Sequence, residues 1–276
     1  MINTLSLAGP RGLARLPAWG WLTLQAAALW PHGRWAAARM ADGSDDPLGL
    51  AALLMLALAL LRLAPALVES PRPAWLAGSA ALTVLATLAL WWLPPLVAAL
   101  LAAAAFSAAL AAWLPVGVAR LPLAGLALLA LPLIASLQYY GGYPLRVLTA
   151  EFSSWVLQAA GLAAERSGAA MTVEGRLVIV DAPCSGVQLV WLGYFTACSA
   201  AAWGGLGDAA LLRRLPLVAG VVLAGNVLRN TVLVALQTRP EPVSEALHQA
   251  IGVGVLAAVC MAVLWIITRS DDAANH

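Results

Sequence analysis

Three polar side chains sit near the ends of apolar segments, where polarity is expensive, and their types suit acyl chemistry. Cys184 lies in Asp181-Ala-Pro-Cys184-Ser-Gly186, which runs straight into an apolar stretch from Val187 to Ala202. Arg229 lies in Gly225-Asn226-Val-Leu-Arg229-Asn230, and His248 in Glu245-Ala-Leu-His248-Gln-Ala-Ile-Gly252. Asp181 and Pro183 are good residues for a helix start, which predicts Cys184 in the first turn. There the helix dipole and the unpaired N–H groups favour thiolate over thiol. A nearby histidine can hold the thiolate as an ion pair and then protonate a leaving amine. An arginine offers a fixed cation and a planar fork of donors for an oxyanion or a carboxylate. Asn226, three residues before Arg229, shares its helix face and is expected to orient it.

Each residue alone has a plainer explanation. A cysteine at a helix start is often a small hydrophobe, as Cys198 and Cys260 are expected to be inside their apolar runs. An arginine in the outer half of a span can snorkel to the headgroups, and a histidine near a helix end can be merely interfacial. Convergence shifts the balance, because intramembrane ionisable groups are costly and usually functional. Spacing alone leaves two readings open, a membrane cysteine enzyme and a transporter.

The elements that position these residues are membrane spans. Of 276 residues, 62% are hydrophobic and 10% charged, against roughly 25% charged in a soluble protein, and the mean hydropathy is +0.87. A net charge of +2 makes no case for nucleic acid, and three cysteines make no disulfide framework. No secretory cleavage pattern opens the sequence, so insertion is expected to begin with the first span. The expected fold is an all-α polytopic membrane protein of about eight transmembrane helices: Leu16–Ala38, interrupted by Pro31-His-Gly-Arg34, then Pro47–Val68, Pro73–Leu93, Pro94–Leu114, Val116–Leu137, Cys184–Trp203, Leu215–Gln237 and Val243–Thr268.

These group as N-terminal spans (1–137), a small outer-face element (138–183) and three C-terminal spans with a short tail (184–276). The outer element reads as a surface helix opening at Tyr143-Pro-Leu-Arg146, with Val147, Phe152, Trp155, Val156 and Ala159 on one apolar face. Gly161 to Gly168 ends it, and a hairpin follows from Met171 to Val180 around Glu174-Gly175. Eight spans put both termini on one side, with Arg11, Arg15, Arg72, Arg120, Arg213, Arg214 and Arg269; Arg34, Arg39, Arg146, Arg166, Arg176 and Arg239 face the other. The Arg213-Arg214 pair before the seventh span favours termini inside. Cys184, Arg229 and His248 then share a depth near the outer surface.

Pro183-Cys184-Ser185-Gly186, Asn226-Val-Leu-Arg229, and His248 with Gly252 four residues on resemble the signature of the exosortase/archaeosortase family. The resemblance runs from about Gln138 to Trp265 and takes in Tyr143-Pro-Leu-Arg146. It implies a bacterial or archaeal membrane transpeptidase in which Cys184, Arg229 and His248 are catalytic, with Asn226, Ser185, Gly186 and Arg146 supporting them. Archaeal members often carry a second arginine where this chain has His248, which implies the bacterial branch.

The implied partners are membrane lipids and exported proteins with a C-terminal sorting signal of PEP-CTERM type: a short motif, one span and a basic tail. The implied setting is the cell inner membrane, multi-pass, with the site facing the periplasm. Cys184 would attack the scissile carbonyl, Arg229 stabilise the oxyanion and His248 manage the proton, and an unidentified amine, or water, would resolve the thioacyl-enzyme. No cofactor is expected, and no metal, since His32, His248 and His276 lack ligand spacing. The rival reading is a transporter or scaffold using Arg229 and His248 in a substrate or proton pathway, and an intramembrane protease that only hydrolyses is a third.

Overall fold

The computed structural model describes residues 16–181, 184–238 and 244–269. Arg11, Arg15, Pro183, Arg239, Val243 and His276 lie outside them. Ten helices are described: α1 (Ala18–Ala28), α2 (Trp30–Ala41), α3 (Gly49–Leu63), α4 (Pro73–Trp92), α5 (Pro95–Trp113), α6 (Leu121–Leu129), α7 (Ile134–Ala159), α8 (Val187–Gly204), α9 (Asp208–Gln237) and α10 (Glu245–Thr268). Three short strands, β1 (Ala164–Ser167), β2 (Ala170–Val173) and β3 (Arg176–Ile179), stand between α7 and α8.

The protein is mostly helical and polytopic, but the count of eight spans is not confirmed. Five stretches are long and apolar enough to cross a bilayer: α3 with its 3-10 extension, α4, α5, α9 and α10. The α6–α7 pair, bent by 97°, makes a sixth if counted as one span. The expected first span is two helices of 11 and 12 residues, broken at Leu29 just before Pro31. Each is about 16–18 Å long, short of a ~30 Å hydrocarbon core. The expected fifth span breaks after α6, before α7 begins at Ile134. α8 falls outside the set for another reason. It carries Gln188, Tyr194, Thr196 and Ser199, and packs against α6, α7, α9 and α10, with Trp191 almost fully buried. A helix wrapped by other helices can be more polar than one that faces lipid.

Sequence reading also misjudged the outer element. Its helix does not open at Tyr143: α7 runs 26 residues from Ile134 with Pro144 inside it. Apart from Leu157, the buried face of α7 is small and polar (Gly142, Thr149, Ala150, Ser153, Ser154), and Trp155 and Val156, on the face expected to meet the membrane, are exposed. The hairpin is present as β2–β3, turning at Glu174-Gly175, both with positive φ, as a tight two-residue turn requires. A third strand, β1, occupies the segment read as a helix end and pairs antiparallel with β2. Ala164, Met171 and Val173 from this sheet, with Val180 just after it, pack with Ala150, Leu157 and Val234, and Cys184 lies against that cluster.

The C-terminal helices form one packed group. A Cβ on Gly225 of α9 would collide with Val259 of α10, so a glycine is needed for that close approach. α9 begins at Asp208, earlier than expected, so Arg213 and Arg214 lie within the helix and not in a loop before it.

Candidate active site

Cys184 occupies the short connection from β3 to α8. Its N–H donates to Asp181 O at 3.0 Å, closing a tight turn. The helix proper starts at Val187, so Cys184 is not in its first turn as expected. The reason is Gly186, the N-cap residue, whose φ of 84° lies in the left-handed region and breaks helical geometry between the cysteine and α8. A Cβ at Gly186 would also come within 2.7–3.0 Å of the Asn226 amide. Ser185 is buried; its hydroxyl donates to Gln138 Oε1 at 2.8 Å and accepts from the Val187 N–H at 3.3 Å.

Arg229 and His248 approach the far side of this connection. The Arg229 guanidinium lies against Gly252 of α10, with Nε 3.6 Å from where a Cβ would stand. His248 sits one turn into α10, whose start is set by Ser244: its hydroxyl accepts from Leu247 N–H and its carbonyl from His248 N–H. Gly186, Gln188, Leu189, Leu192, Arg229, His248, Gln249, Gly252, Val253 and Leu256 surround one cavity of about 390 Å³ between α8, α9 and α10. Its polar groups gather at the Gly186–His248 end, and Leu192, Val253 and Leu256 carry it along the helices. Such a space can receive an extended polar segment at one end and an apolar one at the other.

The profile of the transmembrane exosortase family (Exosortase_EpsH) matches residues 12–266. The chain belongs to that family. No curated protein and no solved structure matches it. Exosortases are generally membrane cysteine peptidases or transpeptidases, and this one is accordingly a multi-pass membrane protein of that family.

The electrostatics around Cys184 differ from the sequence expectation. Cys184 lies outside the spanning helices, and burial pushes its thiol above its ordinary value. The Arg229 cation opposes that rise and the Asp181 carboxylate adds to it. Arg229, not a helix dipole acting on a first-turn cysteine, is thus the group that favours the thiolate.

Asn226 also departs from expectation. Its Nδ2 donates to Thr149 Oγ1 at 2.8 Å and to Cys184 O at 3.1 Å, so it holds the cysteine's backbone where it was expected to orient Arg229. Arg146 turns back on its own helix: Nε donates to Gly142 O at 3.4 Å and the guanidinium lies over the Tyr143 ring. It does not line the cavity. Sequence reasoning missed Gln138, Thr149, Ser153 and Asn230. Asn230 Nδ2 donates to Ser153 Oγ at 3.1 Å, one helical turn beyond the Thr149–Asn226 pair. The available signal was the four-residue spacing of Thr149 with Ser153 and of Asn226 with Asn230, which puts each pair on one helix face. Cys198 is buried and Cys260 half-buried within helices. No group of three metal-ligating side chains occurs among the described residues.

Proposed function

We propose that the protein is a membrane-embedded cysteine transpeptidase that cleaves C-terminal sorting signals of exported proteins through a thioacyl-enzyme. The observation that carries this reading is the shared cavity: Arg229, His248 and the Gly186 end of the Cys184 connection meet in it, although they come from three separate segments. The Cys184 sulfur attacks the scissile carbonyl carbon, and the carbonyl electron pair becomes an oxyanion facing the Arg229 fork. The pair then returns as the C–N bond breaks. His248, which takes the Cys184 proton as the sulfur attacks, passes it to the departing amine, and the C-terminal tail leaves. An amine acceptor, or water, attacks the thioester, and the thiolate is released.

The apolar end of the cavity supports a substrate whose sorting motif is followed by a membrane helix, entering between α8 and α10. On this reading the active site faces the periplasmic side of the cell inner membrane, where an exported protein presents its signal. The deciding experiment is covalent trapping: co-expression with a PEP-CTERM-type substrate should yield a thioester-linked adduct on Cys184 by peptide mass spectrometry. Processing without any adduct, and with Cys184→Ala fully active, would sink the reading.

A further inference from the structure

We infer that Thr149 and Gln138, two residues of α7 outside the cavity, are positioning residues that hold the Cys184 connection from behind and keep its thiol within reach of the Arg229 charge. Thr149 is fully buried, and its Oγ1 accepts from Asn226 Nδ2 at 2.8 Å. The same nitrogen donates to Cys184 O at 3.1 Å. A carbonyl can only accept, so the amide nitrogen must face it, and Thr149 must accept there as well. One amide therefore bridges α7, α9 and the nucleophile connection.

The next residue is tied separately. Ser185 donates to Gln138 Oε1 at 2.8 Å, and the same hydroxyl accepts from the first N–H of α8. Gly142 keeps room for that reach, since a Cβ there would come within 2.7 Å of Gln138 Nε2. The Ser153–Asn230 pair fixes the register of α7 against α9. Buried side-chain networks of this kind specify one geometry, because a lost partner is not replaced by water. The consequence reaches the thiol because the Arg229 effect on Cys184 falls as their separation grows.

The inference rests on Cys184 being the nucleophile of the proposed reaction, but its test needs no substrate. The pH dependence of Cys184 alkylation by iodoacetamide is followed on the full-length membrane protein, peptide by peptide. Replacing Arg229 by glutamine removes the cation that favours thiolate, so the midpoint should rise. In Thr149→Val, which keeps the shape and removes the acceptor, that Arg229-dependent rise should shrink to less than about half, and Thr149→Ser should restore it. An undiminished rise in a Thr149→Val protein that accumulates normally overturns the inference. If the valine variant does not accumulate, Gln138→Met, which cuts the second tether, is held to the same criterion. Processing that survives Cys184→Ala would defeat the transpeptidase reading and leave this coupling measurable; undiminished coupling would defeat the positioning role and leave that reading standing.

Discussion

Arg214 and Arg229 lie on one helix, roughly 22 Å apart, yet the chain uses them in opposite ways. Arg214 is buried, and its guanidinium donates to Ile266 O and Ile267 O from one nitrogen and to Arg269 O from the other. It closes the carbonyl end of α10. Two further charges at the same end also bond backbone: Asp208 accepts from the N–H groups of Arg120 and Leu121, and Arg62 donates to Trp203 O. Arg229 instead borders a cavity with His248, and its charge acts on Cys184. A charge in an apolar segment is thus no evidence of chemistry by itself. What separates the two arginines is position: one closes the end of a neighbouring helix, and the other lines a space a substrate can enter.

The largest expected effect falls on the cavity end. Cys184→Ala and Cys184→Ser should abolish processing while the protein still accumulates in the membrane, whereas Cys198→Ala and Cys260→Ala should retain it. Immunoblotting of precursor and mature substrate distinguishes these outcomes. Next comes Arg229→Lys, which keeps the charge and loses the planar fork. Loss of an oxyanion donor typically costs about 3–4 kcal/mol, or roughly a hundred- to thousandfold in rate. Near-normal turnover in this variant would reduce Arg229 to the same status as Arg214.

How much of this was legible in the sequence follows the same division. Cys184, Arg229 and His248 stood out because each is a polar group in a strongly apolar context, and topological alternation alone put them at one depth. The hairpin was legible from β-branched residues flanking Glu174-Gly175. What escaped depends on packing. The true start of α8 is set by the backbone of Gly186, which reads as an ordinary motif glycine until its φ is seen. Thr149 and Gln138 are common residues whose importance lies in a partner on another segment. Arg213-Arg214 was read as one charged loop, but only Arg213 is exposed, since α9 extends back to Asp208 and folds Arg214 against α10. The polar α8 read as a span like the others, because hydropathy does not reveal which helix the rest surround.

A smaller effect is expected at the opposite end. Arg214→Ala strips charged hydrogen bonds from the α10 terminus, and charged bonds of this kind are worth about 1.5–3 kcal/mol. Heat inactivation in detergent should come earlier, while the processing rate per folded molecule stays near that of the parent. A rate loss matching that of Arg229→Lys would break the comparison by showing that both ends serve the chemistry.

The smallest perturbation tests whether the two ends face opposite compartments, with no expected loss of function. Glu165 is exposed on β1, in the sheet that covers Cys184; Gly204 is exposed at the far end of α8, and nothing lies within 4 Å of where its Cβ would be. α8 between them is about 27 Å long, close to the ~30 Å thickness of a hydrocarbon core. If the cavity end is periplasmic, a membrane-impermeant maleimide added to intact spheroplasts should label Glu165→Cys and spare Gly204→Cys, with both labelled after lysis. The exposed Arg213 then lies with the unlabelled end, as a positive residue retained inside should. Labelling of Gly204→Cys alone would invert the protein and put the Cys184 cavity in the cytoplasm, out of reach of a substrate already exported. Labelling of both in intact cells would mean that α8 does not cross the membrane, and that Cys184 and Arg214 lie on one side of it.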